Sequence, residues 1–132
     1  MSNNLFLLAD DIEVNNKILS KVLFNVDPEA VVLSFTSGDG LIENYIELLK
    51  SNYQPTAIML DQKMPGLTGL ETANKLRNMS AETAAPYEGP IIIVTGENDP
   101  MQYKDPENVT EVITKPVTMI KINDVLRDCN CI

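Results

Sequence analysis

The chain has 132 residues, a mass of 14.6 kDa and a formal charge of −9, from ten Lys and Arg against nineteen Asp and Glu. That length predicts one domain, residues 1–132, with enough core to fold without disulfides or a structural metal. The acidity argues against direct DNA or RNA binding. The lack of any histidine excludes Ser-His-Asp and Cys-His catalysis, imidazole zinc sites and service as a phosphohistidine donor.

The longest apolar run, Leu5 to Ala9, is far below the roughly 20 residues of a membrane span. The N-terminus has no basic region ahead of that run and reads as no secretory signal. Residues 4–8, 30–35, 56–60, 90–94 and 111–113 read as five short strands. LFLLA, AIML and IIIV are nearly continuous apolar runs, the mark of strands covered on both faces.

Helical spacing fills the gaps. One stripe is Ile18, Leu19, Val22, Leu23 and Val26, and a second is Leu41, Ile42, Tyr45, Ile46 and Leu49. The third is Leu70, Ala73, Leu76 and Met79, and the last is Ile122, Val125, Leu126 and Cys129. Thr68 with Glu71 forms a capping box, which places the start of the third helix there. Residues 97–110 contain Pro100 and Pro106 and little apolar periodicity, so a short or irregular fourth helix is expected. The order βαβαβαβαβα predicts an α/β fold, a doubly wound five-stranded parallel sheet with right-handed crossovers.

In such a sheet function lies beyond the carboxyl ends of the strands. Those ends carry Asp10-Asp11, Asp61, Thr95-Gly96 and Lys115-Pro116. Taken singly each has an ordinary explanation: an N-cap, turn chemistry, a solvated lysine. Together they place three carboxylates, a hydroxyl and an ammonium on one rim. Three close carboxylates repel unless a cation joins them, and Mg²⁺ suits oxygen ligands. Asp61 could then act as a nucleophile toward a phosphoryl group, with Asp10 and Asp11 on the metal. Lys115 and Thr95 would meet phosphoryl oxygens, and Gly96 would keep the entrance clear.

As a set, ADDIEVNNKIL, LDQKMPGLTGLE, IIIVTG and ITKPV resemble the receiver domain of two-component response regulators, most nearly the hybrid histidine kinase type. The resemblance covers nearly the whole chain and implies a flavodoxin-like (βα)5 fold. It implies a Mg²⁺ cofactor held by Asp10, Asp11, Asp61 and the backbone carbonyl of Lys63. It also implies Mg²⁺-dependent phosphorylation of Asp61, a cis Lys115-Pro116 peptide, and a phosphorelay role in the cytoplasm. The partners implied are a sensor histidine kinase or histidine phosphotransfer protein as donor and a downstream protein effector. The domain takes part in its own phosphoryl transfer but is not a conventional enzyme.

Three departures stand beside the resemblance. Val112 occupies the place of the family's switch aromatic, so the usual coupling to Thr95 is not carried over. The segment from Thr95 to Lys115 is short and proline-bearing, so the family's dimer face is not carried over either. Lys63 stands where many members have a small polar residue. Lys63 and Glu97 would flank the pocket. A salt bridge across its mouth would hinder a hydrolytic water, but two solvated charges are the slightly favoured expectation, since exposed pairs contribute little.

Asn15, Asn16 and Ser20 on the first helix are expected to be exposed candidates for donor contact. Cys129 and Cys131, too close together to close a stabilising loop, fit a reducing compartment. The ending Cys129-Asn130-Cys131-Ile132 superficially fits a prenylation box, yet Asn130 is not aliphatic and no polybasic run precedes it. An ordinary exposed tail, with thiols free to dimerise in vitro, is the expectation. Met1 and this ending favour a free-standing regulator or relay intermediate over an excised receiver. The alternative function is a pseudo-receiver, an interaction module that is not phosphorylated. An aspartyl-phosphate enzyme ranks low because no cap domain fits, and a flavin module because no phosphate-binding loop follows the first strand.

Overall fold

The computed structural model describes residues 3–80, 82–97 and 100–132. Met1, and residues 98 and 99 of the expected irregular segment, lie outside them. The elements run β1 (Leu5–Ala9), α1 (Glu13–Val26), β2 (Val31–Phe35), α2 (Gly38–Lys50), β3 (Ala57–Asp61), α3 (Gly69–Arg77), β4 (Ile91–Thr95), a 3-10 turn (Pro100–Tyr103), β5 (Glu111–Thr114) and α4 (Met119–Asp128). All five strands pair in parallel in the order β2-β1-β3-β4-β5. This is the flavodoxin-like, doubly wound order, with β1 and β3 flanking the point where the winding reverses.

Composition decides which strands are central. LFLLA, AIMLD and IIIVT are almost wholly buried, while VVLSF and EVIT, with polar residues interspersed, form the two edges. The two-residue period of a strand then divides the core. Leu7, Ile58, Leu60, Ile91 and Ile93 face one side, where Leu41 and Tyr45 of α2 and Ala73 and Leu76 of α3 cover them. Phe6, Leu8, Met59, Ile92 and Val94 face the other, under Leu19 and Leu23 of α1 and Ile122 and Leu126 of α4. A one-residue slip of any central strand would exchange these sets, so the register is fixed by both faces at once.

Observed strands β1, β3 and β4 each start and end one residue later than expected, and β2 starts one residue later. The ladder therefore extends to Ala9, Asp61 and Thr95, the positions on which the rim is built. The capping box at α3 is formed: the Thr68 hydroxyl accepts the Glu71 N–H (3.2 Å), and the Glu71 carboxylate accepts the Thr68 N–H (2.9 Å). That bond holds the Glu71 carboxyl below its ordinary pKa. Two stripe residues fall outside their helices, since α3 ends before Met79 and Cys129 caps α4. Ile18, expected on the buried stripe of α1, is 52% exposed.

Among the described residues of the β4–β5 crossover the helical structure is limited to the 3-10 turn, in keeping with its prolines. The far end of the sheet is closed instead by the segment after α3. Tyr87 packs edge-to-face on Tyr45, at 5.7 Å, beneath the Arg77 guanidinium. Arg77 donates to the carbonyls of Tyr87 (2.9 Å), Gly89 (2.7 Å) and Asn108 (3.2 Å), joining the two loops that flank β4.

The C-terminal tail corrects an expectation. Cys131 is buried, its carbonyl accepts from the Asn4 amide (3.0 Å), and its N–H reaches the Leu126 carbonyl (2.7 Å). Burial, with Cys131 nearby, raises the Cys129 thiol to about 11. Cys131 is packed and Cys129 half-buried while Asn130 and Ile132 stay exposed, and the thiols are poor nucleophiles at neutral pH.

One glycine couples the fold to the rim. A Cβ on Gly69 would lie 2.6 Å from the backbone oxygen of Asp61 and 3.0 Å from Ile93. Only a residue without a side chain lets α3 begin against the end of β3. Gly69→Ala should lower stability by about 1–3 kcal/mol, the usual cost of overpacking. Chemical denaturation measures this, and a change below about 0.5 kcal/mol would show that α3 shifts freely.

Candidate functional site

The rim at the carboxyl ends of β1, β3, β4 and β5 holds the chemistry. Asp10 follows β1, Asp61 ends β3, Thr95 ends β4 and Lys115 follows β5. Lys115 Nζ lies 3.1 Å from Asp10 Oδ2 and 3.0 Å from Asp61 Oδ1, so one ammonium joins two carboxylates. The Lys115-Pro116 peptide is cis, as expected. Carboxylate oxygens of Asp10, Asp11 and Asp61 all lie within 4.8 Å of one another.

The three acids stand in different surroundings. Asp10 is buried, and its Oδ1 accepts the Ile12 N–H (2.9 Å) and, weakly, the Asn15 amide (3.4 Å). Asp11 is exposed. Asp61 is buried beneath the rim. Burial raises the Asp61 carboxyl above its ordinary value; the Lys115 hydrogen bond and charge oppose this, while the charges of Asp10 and Asp11 add to it. Partial burial alone would lower the Lys115 ammonium, but its bonds to Asp61 and Asp10 outweigh that and raise it.

Three ionised carboxylates and one ammonium leave a formal −2. That imbalance, together with convergent hard oxygen donors, fits a divalent cation such as Mg²⁺. Asp10, Asp11 and Asp61 are the side chains that could hold it.

Beside the acids lies a cleft of about 430 Å³, lined by Asp61, Lys63, Thr95, Gly96, Glu97 and Lys115 among others. Thr95 is almost completely buried. Its hydroxyl oxygen accepts the Glu97 N–H (3.1 Å), which leaves its own proton for another acceptor. A Cβ on Gly96 would meet nothing within 4 Å, so the entrance there is open.

Lys63 and Glu97, expected as separate solvated charges, form an ion pair. The correction has a simple cause: Glu97 is held as part of the turn after β4, which places its carboxylate within reach of the Lys63 chain across the cleft. The hydrogen bond that Lys63 donates to the Glu97 carboxylate, and the charge of Glu97, raise the Lys63 ammonium.

Asn16, expected to be exposed, is 3% exposed. Its amide donates to the carbonyls of Asp10 and Phe35, both at 3.0 Å, and so ties α1 to the ends of β1 and β2. Asn15 and Ser20 are half-buried. Gln62 went unnoticed in the sequence: it is buried, its Oε1 accepts the Leu70 N–H (3.0 Å), and its carbonyl accepts the Gly69 N–H (3.1 Å). Its place directly after the strand and seven residues before a glycine was the available signal. Val112, in place of an aromatic ring, packs against the α2–α3 core beside Tyr103 of the 3-10 turn.

A raised carboxyl destabilises the fold when ionised. The penalty is absent below the unfolded pKa of about 3.9 and complete above the native value. Metal-free Asp61→Asn should therefore melt above wild type at pH 7, with the gap closing as pH falls toward 4. Mg²⁺ should raise the melting point of wild type more than that of the variant. Melting curves in EDTA and in Mg²⁺ check this, and a variant less stable by the same margin at both pH values would refute it.

Comparison with known proteins places these features. Residues 6–127 match the response regulator receiver domain family. Stress response regulator protein 1 of Meyerozyma guilliermondii is 31% identical over 105 residues, which cover 80% of this chain. The match spans 46% of that relative, less than half its length. Among solved structures, a two-component response regulator from Cytophaga hutchinsonii superposes with a TM-score of 0.82 at 20% identity, covering 100% of both chains. A response regulator receiver domain from Methylobacillus flagellatus gives 0.73 at 17% identity, over 97% of this chain and 99% of the other. At those identities the two structures establish the fold alone.

Proposed function

The chain belongs to the response regulator receiver domain family, and from that premise we propose that it is a phosphoacceptor in histidine-to-aspartate signalling. The observation that carries this reading is the Lys115 ammonium held between Asp10 and Asp61, with the exposed Asp11 carboxylate beside them. The unmet charge suits Mg²⁺, which when bound would neutralise charge building on a transferred phosphoryl group.

Each residue then has a task within reach of its atoms. Asp61 attacks phosphorus through a carboxylate oxygen, and the bond from phosphorus to the donor's imidazole nitrogen breaks. The product is an aspartyl phosphate. Lys115, already on Asp61, follows the charge onto a phosphoryl oxygen. The Thr95 hydroxyl donates to another. Asp10 and Asp11 would hold the metal, with the Lys63 carbonyl as a further ligand by family analogy. Gly96 leaves the donor's path open.

The donor is a sensor histidine kinase or histidine phosphotransfer protein, because this chain has no histidine of its own. Phosphorylation changes the affinity for a downstream protein effector by favouring one of two states. No helix among the described residues is long and apolar enough to cross a membrane. A cytoplasmic setting, and action of the 132 residues as one receiver domain, complete the proposal.

Incubation with Mg²⁺ and acetyl phosphate, read by intact mass, tests it. One acid-labile phosphoryl adduct is expected on wild type and none on Asp61→Asn. No adduct, together with no Mg²⁺-dependent spectral change, would leave a pseudo-receiver. A second expectation concerns the Lys63–Glu97 pair, which spans the mouth of the cleft through which a hydrolytic water must pass. Lys63→Ala should speed dephosphorylation by about two- to fivefold, the range open to an exposed pair. Unchanged rates would mean that the pair does not impede the water.

A further inference from the structure

The loop between β5 and α4 runs from Lys115 to Thr118 and carries the ammonium that joins Asp10 to Asp61. Pro116 within it has no N–H with which to pin the turn. A side chain from the first turn of α4 reaches back instead. Lys121 Nζ donates to the Thr114 carbonyl (2.9 Å), to the Pro116 carbonyl (3.1 Å) and, more weakly, to the Thr114 hydroxyl (3.3 Å). Those acceptors match the N–H groups of one ammonium in number. Hydrogen bonds from a charged donor belong to the stronger class. The Lys121 backbone is fixed as well, because its N–H donates to the Thr118 hydroxyl that caps the helix (3.2 Å).

The two carbonyls stand immediately before and after Lys115. The peptide that enters Lys115 is also held at its other edge, where the Lys115 N–H donates to the Thr95 carbonyl (2.8 Å). A planar peptide held on both edges cannot rotate without breaking one of those bonds. Lys115 therefore starts from a fixed backbone, and from there its long side chain meets Asp61 at 3.0 Å and Asp10 at 3.1 Å. Lys121 lines neither the cleft beside the acids nor a second cavity, bordered by Ile18 and Val117, that Asp61 and Lys115 also reach. What it contributes to the rim passes through the loop.

We propose that Lys121 is a positioning residue: it sets the backbone from which Lys115 reaches Asp61, and thereby the rate at which Asp61 takes a phosphoryl group. The kinetic consequence rests on the phosphoacceptor reading, while the geometry concerns the metal-free protein alone. Two other roles for Lys121 predict different behaviour. A latch that serves stability alone would lower the melting point and leave the saturated rate unchanged. A positive charge felt at long range would act with or without Lys115. A positioning residue acts only while Lys115 is there to be positioned, so the two substitutions are non-additive.

Phosphorylation of the full chain by acetyl phosphate at saturating Mg²⁺, followed by intact mass, reads the kinetic consequence. Lys121→Met, which keeps the reach of the side chain and loses its donors, should slow the saturated rate about tenfold, as a small misplacement does. Lys115→Ala should slow it about a hundredfold, the order lost with a charge-stabilising donor. Adding Lys121→Met to Lys115→Ala should change the rate by less than about twofold. Lys121→Arg, which keeps donors and charge, should recover most of the rate, and Lys121→Gln serves if the methionine variant fails to fold. Lys50→Met, at the exposed Lys50–Glu47 pair, is the charge control and should change nothing. The geometry is read without phosphate. In the metal-free protein the Lys115 ammonium, assigned by its loss in Lys115→Ala, should give a resolved cross-peak in heteronuclear NMR, because two carboxylates hold its protons. Lys121→Met should broaden that peak into exchange with water. A wild type that forms no adduct would refute the phosphoacceptor reading, and the ammonium peak would still decide the role of Lys121. An unchanged peak and rate in Lys121→Met would overturn the proposal. So would an equal further slowing in the Lys115→Ala background, which would mean that Lys121 acts by its charge alone.

Discussion

The Lys115 ammonium, shared between Asp10 and Asp61, is the interaction on which the rim depends. It reaches from the end of β5 past the end of β4 to the ends of β3 and β1, and so links β5 to two strands with which it does not pair. Without it three carboxylates would face each other in partly buried surroundings with nothing to offset their repulsion. With it the cluster is tolerable but still two charges short of neutral. The rim is therefore stable enough to fold and polar enough to recruit a cation, and both properties come from the same count of charges.

Holding that geometry requires the strands not to slide. Each central strand is anchored by two cores at once, because alternate residues serve opposite faces. Leu60 and Met59 illustrate the constraint: they enter different clusters, and the residue after Leu60 is Asp61. The register that buries both also fixes the height of the Asp61 carboxylate at the rim. The opposite end is held by other means. There Arg77 gathers three carbonyls from two loops, and Tyr87 fills the space beneath Tyr45. Precision at one end of the sheet is matched by a hydrogen-bonded clamp at the other.

Much of this was legible in the sequence because the signals were redundant. The five strands announced themselves as apolar runs, and Asp61, Thr95 and Lys115 were placed by ending them. The α3 cap was readable from Thr68 and Glu71 alone. What escaped was tertiary. Asn16 is polar and follows a polar residue, so nothing local says that its amide bridges two strand ends. Ile18 is apolar at helical spacing, yet it borders a cavity rather than the core. The Lys63–Glu97 pair joins two loops whose approach depends on the β3–β4 pairing and on the turn at Thr95. The packed tail depends on Asn4, which lies at the other end of the chain. In each case the deciding contact spans elements that sequence periodicity treats separately.

The β4–β5 crossover shows how a local departure in sequence changes the packing around it. Pro100 and Pro106 prevent a full helix, and the strand that follows offers Val112 rather than a ring. The lost packing is partly restored by Tyr103, which joins the core cluster that Val112 also reaches. The same short connection begins at Glu97, whose N–H is fixed by the Thr95 hydroxyl and whose carboxylate meets Lys63. Thr95 cannot give its oxygen fully to a new partner without loosening the turn that aims Glu97. Any change at the Thr95 hydroxyl is thus mechanically tied to the ion pair at the cleft mouth.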